Sequence, residues 1–258
     1  MSAQGILLEV RNVNRAFGGV LAVCDFSFDV RRGQLKAIIG PNGAGKTTLF
    51  NLISGIYPCS GGEIVFKGKP INNYKPHMIS KRGIARTFQV PKLFSNMTVL
   101  ENVMVGRHTR TRAEILDAAI PLRKTKAEED GIRHNAEQWL KFFGLEGRSE
   151  NLAETIPFGE RRILEIARAL AAEPELLLLD EPAAGLNDKE REWLAKLLRD
   201  IRNMGITILW VEHVVHMVMS IADEIVVMDW GKKICEGSPE HVQCDDKVIE
   251  AYLGVGNA

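Results

Sequence analysis

One stretch, Gly40-Pro41-Asn42-Gly43-Ala44-Gly45-Lys46-Thr47, constrains the fold of this chain more than any other. It fits the pattern of a glycine, four residues and then Gly-Lys-Thr that wraps phosphate. The apolar run Leu35 to Ile39 precedes it and reads as a buried strand, while Thr48 to Ile53 reads as a helix. Strand, glycine loop and helix are the context that separates a phosphate loop from an ordinary glycine-rich turn. Glycines let successive backbone N–H groups curl into an anion-binding concavity, and the helix N-terminus adds partial positive charge. In such a loop Lys46 reaches the β- and γ-phosphates and the Thr47 hydroxyl holds Mg²⁺. A nucleoside triphosphate is the expected ligand.

At 258 residues the chain can bury one large core, or a core plus a subdomain. Lys+Arg and Asp+Glu balance at 33 each, so bulk charge gives no sign of a nucleic-acid partner. Cys24, Cys59, Cys235 and Cys244 are scattered without metal-ligand spacing and read as reduced thiols in a cytoplasmic protein. The N-terminus lacks a basic segment followed by a long apolar one, so no signal peptide is expected. No apolar run approaches the ~18 residues that span a bilayer. A membrane role would have to come through partners.

In chain order, Ile6 to Val10 and Val20 to Val30 read as strands, the second placing Cys24, Phe26, Phe28 and Val30 on one face. Phe17, beside the Gly18-Gly19 turn, could staple the strands together or stack on a purine, which needs only a flat apolar face. Glu63 to Phe66 predicts a strand, Pro76 to Lys81 a short helix, and Gly83 to Phe88 a strand that ends at Gln89. Gln89 is either a polar loop residue or a group able to reach Mg²⁺ or the attacking water. From about Pro91 to Thr155 the pattern turns helical, with Ala136, Trp139, Leu140 and Phe143 forming an apolar stripe. This reads as a helical subdomain inserted into an α/β core. Its Arg107, Arg110, Arg112, Arg123, Lys124 and Lys126 form either a solvated face or a contact with a membrane surface or partner.

Gly159 to Ala172 reads as a helix with Ile163, Ile166, Ala167 and Leu170 in its stripe. The run Glu175 to Leu179 then ends in Asp180 and Glu181. An unbroken apolar run reads as a parallel strand covered on both faces. Ligands in such sheets sit at the carboxyl ends of strands, which puts both acids beside the triphosphate. There Asp180 would orient Mg²⁺ through its water shell. Glu181 would take the proton of the attacking water. A helix with Trp193, Leu194, Leu197, Leu198 and Ile201 ends at Gly205, and Ile206 to Glu212 is another buried strand. His213 stands at its end; a lone histidine is usually structural, but its place at the same sheet edge favours a γ-phosphate contact. Strands Glu224 to Met228 and Lys232 to Cys235 and a helix at Val248 to Leu253 close the chain.

The order of these pieces resembles the ATP-binding cassette (ABC) family over almost the whole chain. The resemblance makes Gly40 to Thr47 with Thr48 the Walker A segment, Gln89 the Q-loop, Leu176 to Asp180 with Glu181 Walker B, and His213 the switch histidine. Ala184-Gly185-Leu186-Asn187 takes the D-loop position and Phe17 the adenine-stacking one. It implies one α/β P-loop ATPase domain with an N-terminal antiparallel β-subdomain, a core of residues 1–90 and 173–258, and a helical subdomain of residues 91–172. ATP and Mg²⁺ are the implied ligands. GIARTFQ (Gly83 to Gln89), MTVLENVMVG (Met97 to Gly106), EPAAGLN (Glu181 to Asn187), the run Ala222 to Pro239 and VIEAYLG (Val248 to Gly254) look like the ATP-binding subunits of branched-chain amino-acid importers. The length between Gly106 and Glu128 is similar to the larger of their two ATPase subunits.

That branch implies a second ATPase subunit, two membrane permeases and an extracytoplasmic solute-binding protein, with this chain on the cytoplasmic face of the prokaryotic inner membrane. Phe94 to Val105 would carry the permease contact, and no nucleic acid is implied. One departure is clear. Where the family signature reads Leu-Ser-Gly-Gly-Gln, this chain has Ile156-Pro157-Phe158-Gly159-Glu160. The family's serine and glycines act on the ATP of the opposite subunit, and Pro157 offers neither a hydroxyl nor an N–H. Unequal sites in a heterodimer follow as the expectation. Rival readings are a soluble cassette acting on nucleic acid or ribosomes, a low-turnover regulatory module, and an exporter ATPase.

Overall fold

The computed structural model describes residues 5–107 and 123–253. Its elements run β1 (Ile6–Phe17), β2 (Val20–Arg31), β3 (Leu35–Ile39), α1 (Lys46–Ile53), β4 (Gly61–Phe66), β5 (Lys69–Pro70), α2 (Pro76–Lys81) and β6 (Ile84–Arg86). They continue with α3 (Val99–Arg107), α4 (Arg123–Phe142), α5 (Phe158–Ala171), β7 (Leu176–Asp180) and α6 (Asp188–Asn203). Then come β8 (Thr207–Val211), α7 (Val215–Ile221), β9 (Glu224–Asp229), β10 (Lys232–Gly237), α8 (Pro239–Gln243) and α9 (Asp246–Leu253). Two compact units result: Met1–Ile79 with Glu175–Ala258, and Ser80–Pro174. Residues 80–90 thus group with the second unit, where the sequence reading set the division after residue 90.

The first unit holds two sheets. One is antiparallel, in the order β2-β1-β4-β5. Its first strand runs on from Val10 to Phe17 through a bulge that the polar residues Asn12 and Asn14 conceal in the sequence. Asn12 and Asp25 both take left-handed backbone (φ 48° and 47°), a conformation that Asn and Asp tolerate better than most residues. The Asn12 amide donates to the Asp25 carboxylate at 2.7 Å. The bulge changes which face of β2 points inward. Phe26, Phe28 and Val30 are buried as alternation demands, but before the bulge Val23 is buried and Cys24 only half-buried.

The other sheet of this unit runs β10-β9-β3-β8-β7. β3 pairs in parallel with β8 and β9, and β8 with β7. Every residue of β3, β7 and β8 is buried, which is why these strands read as unbroken apolar runs. The β9–β10 turn uses Trp230 and Gly231, both at positive φ, as a tight hairpin requires. The short helices α7 and α8 lie where the sequence pattern predicts no element.

In the second unit, α3 packs on α5 at Gly106, where a Cβ would fall 2.0 Å from the Arg168 carbonyl oxygen. Only glycine allows that approach. The expected stripe of α5 (Ile163, Ile166, Ala167 and Leu170) is buried, and so are Ala136, Leu140 and Phe143. Trp139 is half-buried and meets Phe143 with ring centroids 6.2 Å apart. Arg107 pairs with Glu173. Arg110 and Arg112, and the side chains of Arg123, Lys124 and Lys126, lie outside the described residues.

One charged side chain interrupts the central sheet. Lys36, wholly buried in β3, donates to Glu224 at 2.9 Å, to Glu236 at 2.5 Å and to the Asp29 carbonyl at 2.6 Å. Burial alone would raise the Glu224 carboxyl, but the Lys36 hydrogen bond and charge hold it below its ordinary 4.5. A carboxylate depressed on folding stabilises the fold above its unfolded value and loses that contribution as pH falls through the folded one. Lys36→Met should therefore lower unfolding free energy at pH 7 by about 1–3 kcal/mol, because it leaves two half-buried carboxylates without their charged hydrogen-bond donor. Urea unfolding from pH 7 to pH 3 checks this: the gap between parent and variant should narrow below pH 4.5. A gap independent of pH would contradict it.

Candidate functional site

The loop from Gly40 to Gly45 joins β3 to α1, and its glycines are required by space and backbone geometry. Gly40 (φ 153°) lies so close to the hairpin strand β9 that a Cβ would fall 1.9 Å from the Met228 carbonyl oxygen. A Cβ on Gly45 (φ 105°) would fall 2.2 Å from the Ala22 oxygen of β2. The β9–β10 turn braces the loop further: Gly231 N–H donates to the Ala44 carbonyl, and Cys24 N–H to the Gly231 carbonyl, each at 2.9 Å. Asn42, Gly43 and Thr47 are exposed, whereas Ala44 and Lys46 are buried. The α1 N-terminus begins at Lys46, and its preceding Gly45 brings no side-chain cap. The first-turn N–H groups of a helix have no intrahelical partners, which suits them to phosphate oxygens.

Lys46 Nζ folds onto the loop itself and donates to the Gly40 and Pro41 carbonyls at 2.7 and 2.8 Å. Burial lowers its pKa from the ordinary lysine value, and the charges of Glu181, Asp180 and Glu212 act against that lowering. Asp180, the buried last residue of β7, and Glu181 after it thus bring negative charge to the loop lysine from the strand beyond β8. Glu181 takes φ 48°, a strained conformation for a long side chain, worth about 1–3 kcal/mol. Its N–H is held by the Val211 carbonyl of β8 at 2.9 Å.

His213 follows β8 at the same sheet edge. Its Nδ1 lies 3.7 Å from a Glu181 carboxylate oxygen and 3.3 Å from one of Glu212. Lys46, Asp180, Glu181 and His213 are therefore brought together. The segment Ala184–Asn187 leads into α6 through a reciprocal cap in which Asn187 accepts from Glu190 N–H and Glu190 accepts from Asn187 N–H. Phe17, at the end of β1, is exposed, stands edge-on to Tyr57 at 5.2 Å, and is covered by the Arg15 guanidinium at 4.6 Å.

Gln89 and the segment Pro157–Glu160 belong to the second unit. Gln89 is exposed. Pro157 occupies the N-cap position of α5 and provides no side-chain cap. Phe158 is exposed with the Arg162 guanidinium 5.3 Å from its ring, Gly159 is half-exposed, and Glu160 lies 3.3 Å from Arg148. Arg161 ties the preceding turn by donating to the Ile156 and Glu154 carbonyls.

Three residues with a place in these loops escape sequence reasoning. Glu212 is buried and accepts backbone N–H groups from two separate loops. Glu165, also buried, accepts from Phe88 and Lys92 N–H at 3.3 Å each, and so brackets Gln89 from α5. Burial raises the Glu165 carboxyl, against the pull of those N–H groups and of Arg168 and Arg162. Tyr252 of α9 lies beside the Gly40 backbone, its hydroxyl pushed up to about 12 by burial. An acid after an apolar strand, an acid within a helix and a tyrosine near the end of the chain carry no distinctive spacing.

Comparison with known proteins bears on the family of the chain. The ABC transporter family model matches residues 23–184, and a model described as branched-chain amino acid ATP-binding cassette transporter matches residues 232–258. The chain is 38% identical over 249 residues to the high-affinity branched-chain amino acid transport ATP-binding protein LivG of Salmonella typhimurium, covering 96% of this chain and 98% of that one. It is 39% identical over the same length and coverage to the corresponding protein BraF of Pseudomonas aeruginosa. Among solved structures, a nucleotide-free ATP-binding cassette from an ABC transporter superposes with a TM-score of 0.84 at 32% identity, covering 96% of this chain and 99% of that one. With a phosphate loop, paired acids and a histidine converging on one sheet edge, and relatives matching nearly end to end, the chain belongs to the ABC transporter family.

Proposed function

We propose that the chain is the ATP-hydrolysing subunit of an importer for branched-chain amino acids. The observation that carries the chemistry is the convergence of Lys46, Asp180, Glu181 and His213 on the loop after β3. The C-terminal family match and the LivG and BraF relatives carry the substrate class. The two units act as one ATP-binding domain.

In this reading the Gly40–Gly45 backbone and the start of α1 cradle the phosphates, with Pro41, Asn42, Ala44 and Thr48 as part of that cradle. Lys46 exchanges its two loop carbonyls for phosphate oxygens. Phe17 offers its exposed face to the adenine. The Thr47 hydroxyl, the Asp180 carboxylate and the Gln89 amide oxygen are hard oxygen donors of the kind that would suit Mg²⁺. That ion would neutralise phosphate charge. Glu181 removes a proton from water as the water oxygen bonds to the γ-phosphorus and the bond to the bridging oxygen breaks, releasing ADP and phosphate. His213, whose ring lies beside Glu181 and Glu212, steadies the γ-phosphate.

No helix among the described residues is long and apolar enough to cross a membrane. The LivG and BraF relatives support a reading in which transport runs through separate permease subunits, with this chain peripheral on the cytoplasmic face and a solute-binding protein outside. The second cassette is a different chain. Pro157 removes both a hydroxyl and an N–H from the surface offered to the partner's ATP, so a homodimer would impair both sites and a heterodimer only one.

Glu181→Gln should leave ATP affinity intact and lower turnover about 10²–10⁴-fold, since an amide cannot take the proton. Lys46→Ala should weaken ATP binding itself. Titration with a fluorescent ATP analogue and a phosphate-release assay separate the two, and parental turnover by Glu181→Gln would remove Glu181 as the base. The unequal-site reading is checked by Pro157→Ser with Phe158→Gly in the assembled complex. A restored hydroxyl hydrogen bond to charged phosphate is worth about 1.5–3 kcal/mol. Turnover at the partner's Walker site should then rise by about one to two powers of ten, with this chain's own site unchanged. No rise at the partner's site would end that reading.

A further inference from the structure

Glu212 is wholly buried, and among the described residues its carboxylate is met by backbone N–H groups and by the His213 ring at 3.3 Å. Its oxygens are divided between two loops. One accepts from Ala183 N–H at 3.1 Å, two residues beyond Glu181. The other accepts from His213 N–H at 2.8 Å and Val214 N–H at 3.2 Å. A carboxylate without its charge would be far easier to bury, so its retention here calls for a use of all three acceptor contacts. The same segments are joined once more by the bond from Glu181 N–H to the Val211 carbonyl at 2.9 Å.

We propose that Glu212 is a positioning residue that fastens the loop carrying Glu181 to the loop carrying His213, so that base and switch histidine keep one register against the γ-phosphate. This rests on the hydrolytic reading above and deepens it. The tie also holds Glu181 in its left-handed backbone conformation, which a free loop would relax. A glutamine cannot replace it, because its NH₂ group would meet either Ala183 N–H or the His213 and Val214 pair, donor against donor. Aspartate is a methylene shorter and reaches one loop at the expense of the other. The phosphate loop is built from β3 and α1 and braced by β9 and β2, so it does not depend on this tie. Removal of the Glu212 charge also takes one negative group from the surroundings of Lys46. ATP affinity should therefore hold or tighten while the chemical step slows.

The experiment compares Glu212→Gln, Glu212→Asp and Val214→Pro in the full-length chain. Val214 has φ −79°, which proline accepts, so that change deletes one N–H and keeps the carboxylate. Affinity is read by titration with a fluorescent ATP analogue on the purified chain, and kcat by phosphate release from the assembled complex. Misplacing a catalytic group by about 1 Å costs on the order of 10²-fold. Both Glu212 variants should lose about 10- to 100-fold in kcat with affinity equal or higher, and Val214→Pro should lose less, in the same direction. Parental kcat in these variants would overturn the proposal, as would a matching fall in affinity and kcat, which marks a merely structural residue. Should the Glu212 variants fail to fold, Val214→Pro decides alone. Glu181→Gln run in parallel separates the two levels: if it retains turnover the hydrolytic reading fails, and if only it loses turnover the tie alone is wrong.

Discussion

A single ammonium group organises the site. Lys46 Nζ is pressed into the loop that bears it by two carbonyl hydrogen bonds, and burial works against its charge while Glu181, Asp180 and Glu212 support it. Three acids beside one lysine leave the site net negative before any ligand arrives, a poor place for a triphosphate alone. In the reading proposed above a cation offsets that charge, and the Thr47 and Asp180 oxygens are of the type that binds Mg²⁺. The negative charge also explains why the acids must be held so firmly, since mutual repulsion would otherwise spread them apart.

The firmness comes from the sheet. β3, β7 and β8 are buried along their whole length and end at one edge, so the groups just beyond them inherit fixed positions. Glu181 is strained in its backbone and pinned by the Val211 carbonyl, and Glu212 adds a side-chain tie across the same gap. In the second unit Glu165 plays an equivalent part for the segment around Gln89, from within α5. Both are carboxylates satisfied mainly by backbone N–H groups, an arrangement that lets a buried charge persist.

Much of this was legible in the residues, and the reasons differ by element. The phosphate loop, the runs ending at Asp180 and Glu212, and the stripe of α5 each carry a pattern that only one local structure explains. The bulge at Asn12 and Asp25 was hidden because polar residues inside a strand look like its end, and Cys24 was accordingly given to the wrong face. Lys36 sits in an apolar run, and its partners Glu224 and Glu236 are nearly two hundred residues away, a pairing that only the sheet order reveals. Glu165 and Glu212 were unreadable for a related reason: a buried acid is identical in sequence to a surface acid until its donors are known.

In the reading proposed above the phosphate cradle is preformed, and nucleotide changes the partners of Lys46, not the path of the loop. A crystal structure of the full-length chain with ATP and Mg²⁺ tests this most directly. The Gly40–Gly45 backbone should keep its glycine dihedrals and its contacts with Met228 and Ala22, while Lys46 Nζ leaves the Gly40 and Pro41 carbonyls for β- and γ-phosphate oxygens. A loop refolded around the nucleotide, or a triphosphate seated away from Lys46, would contradict it.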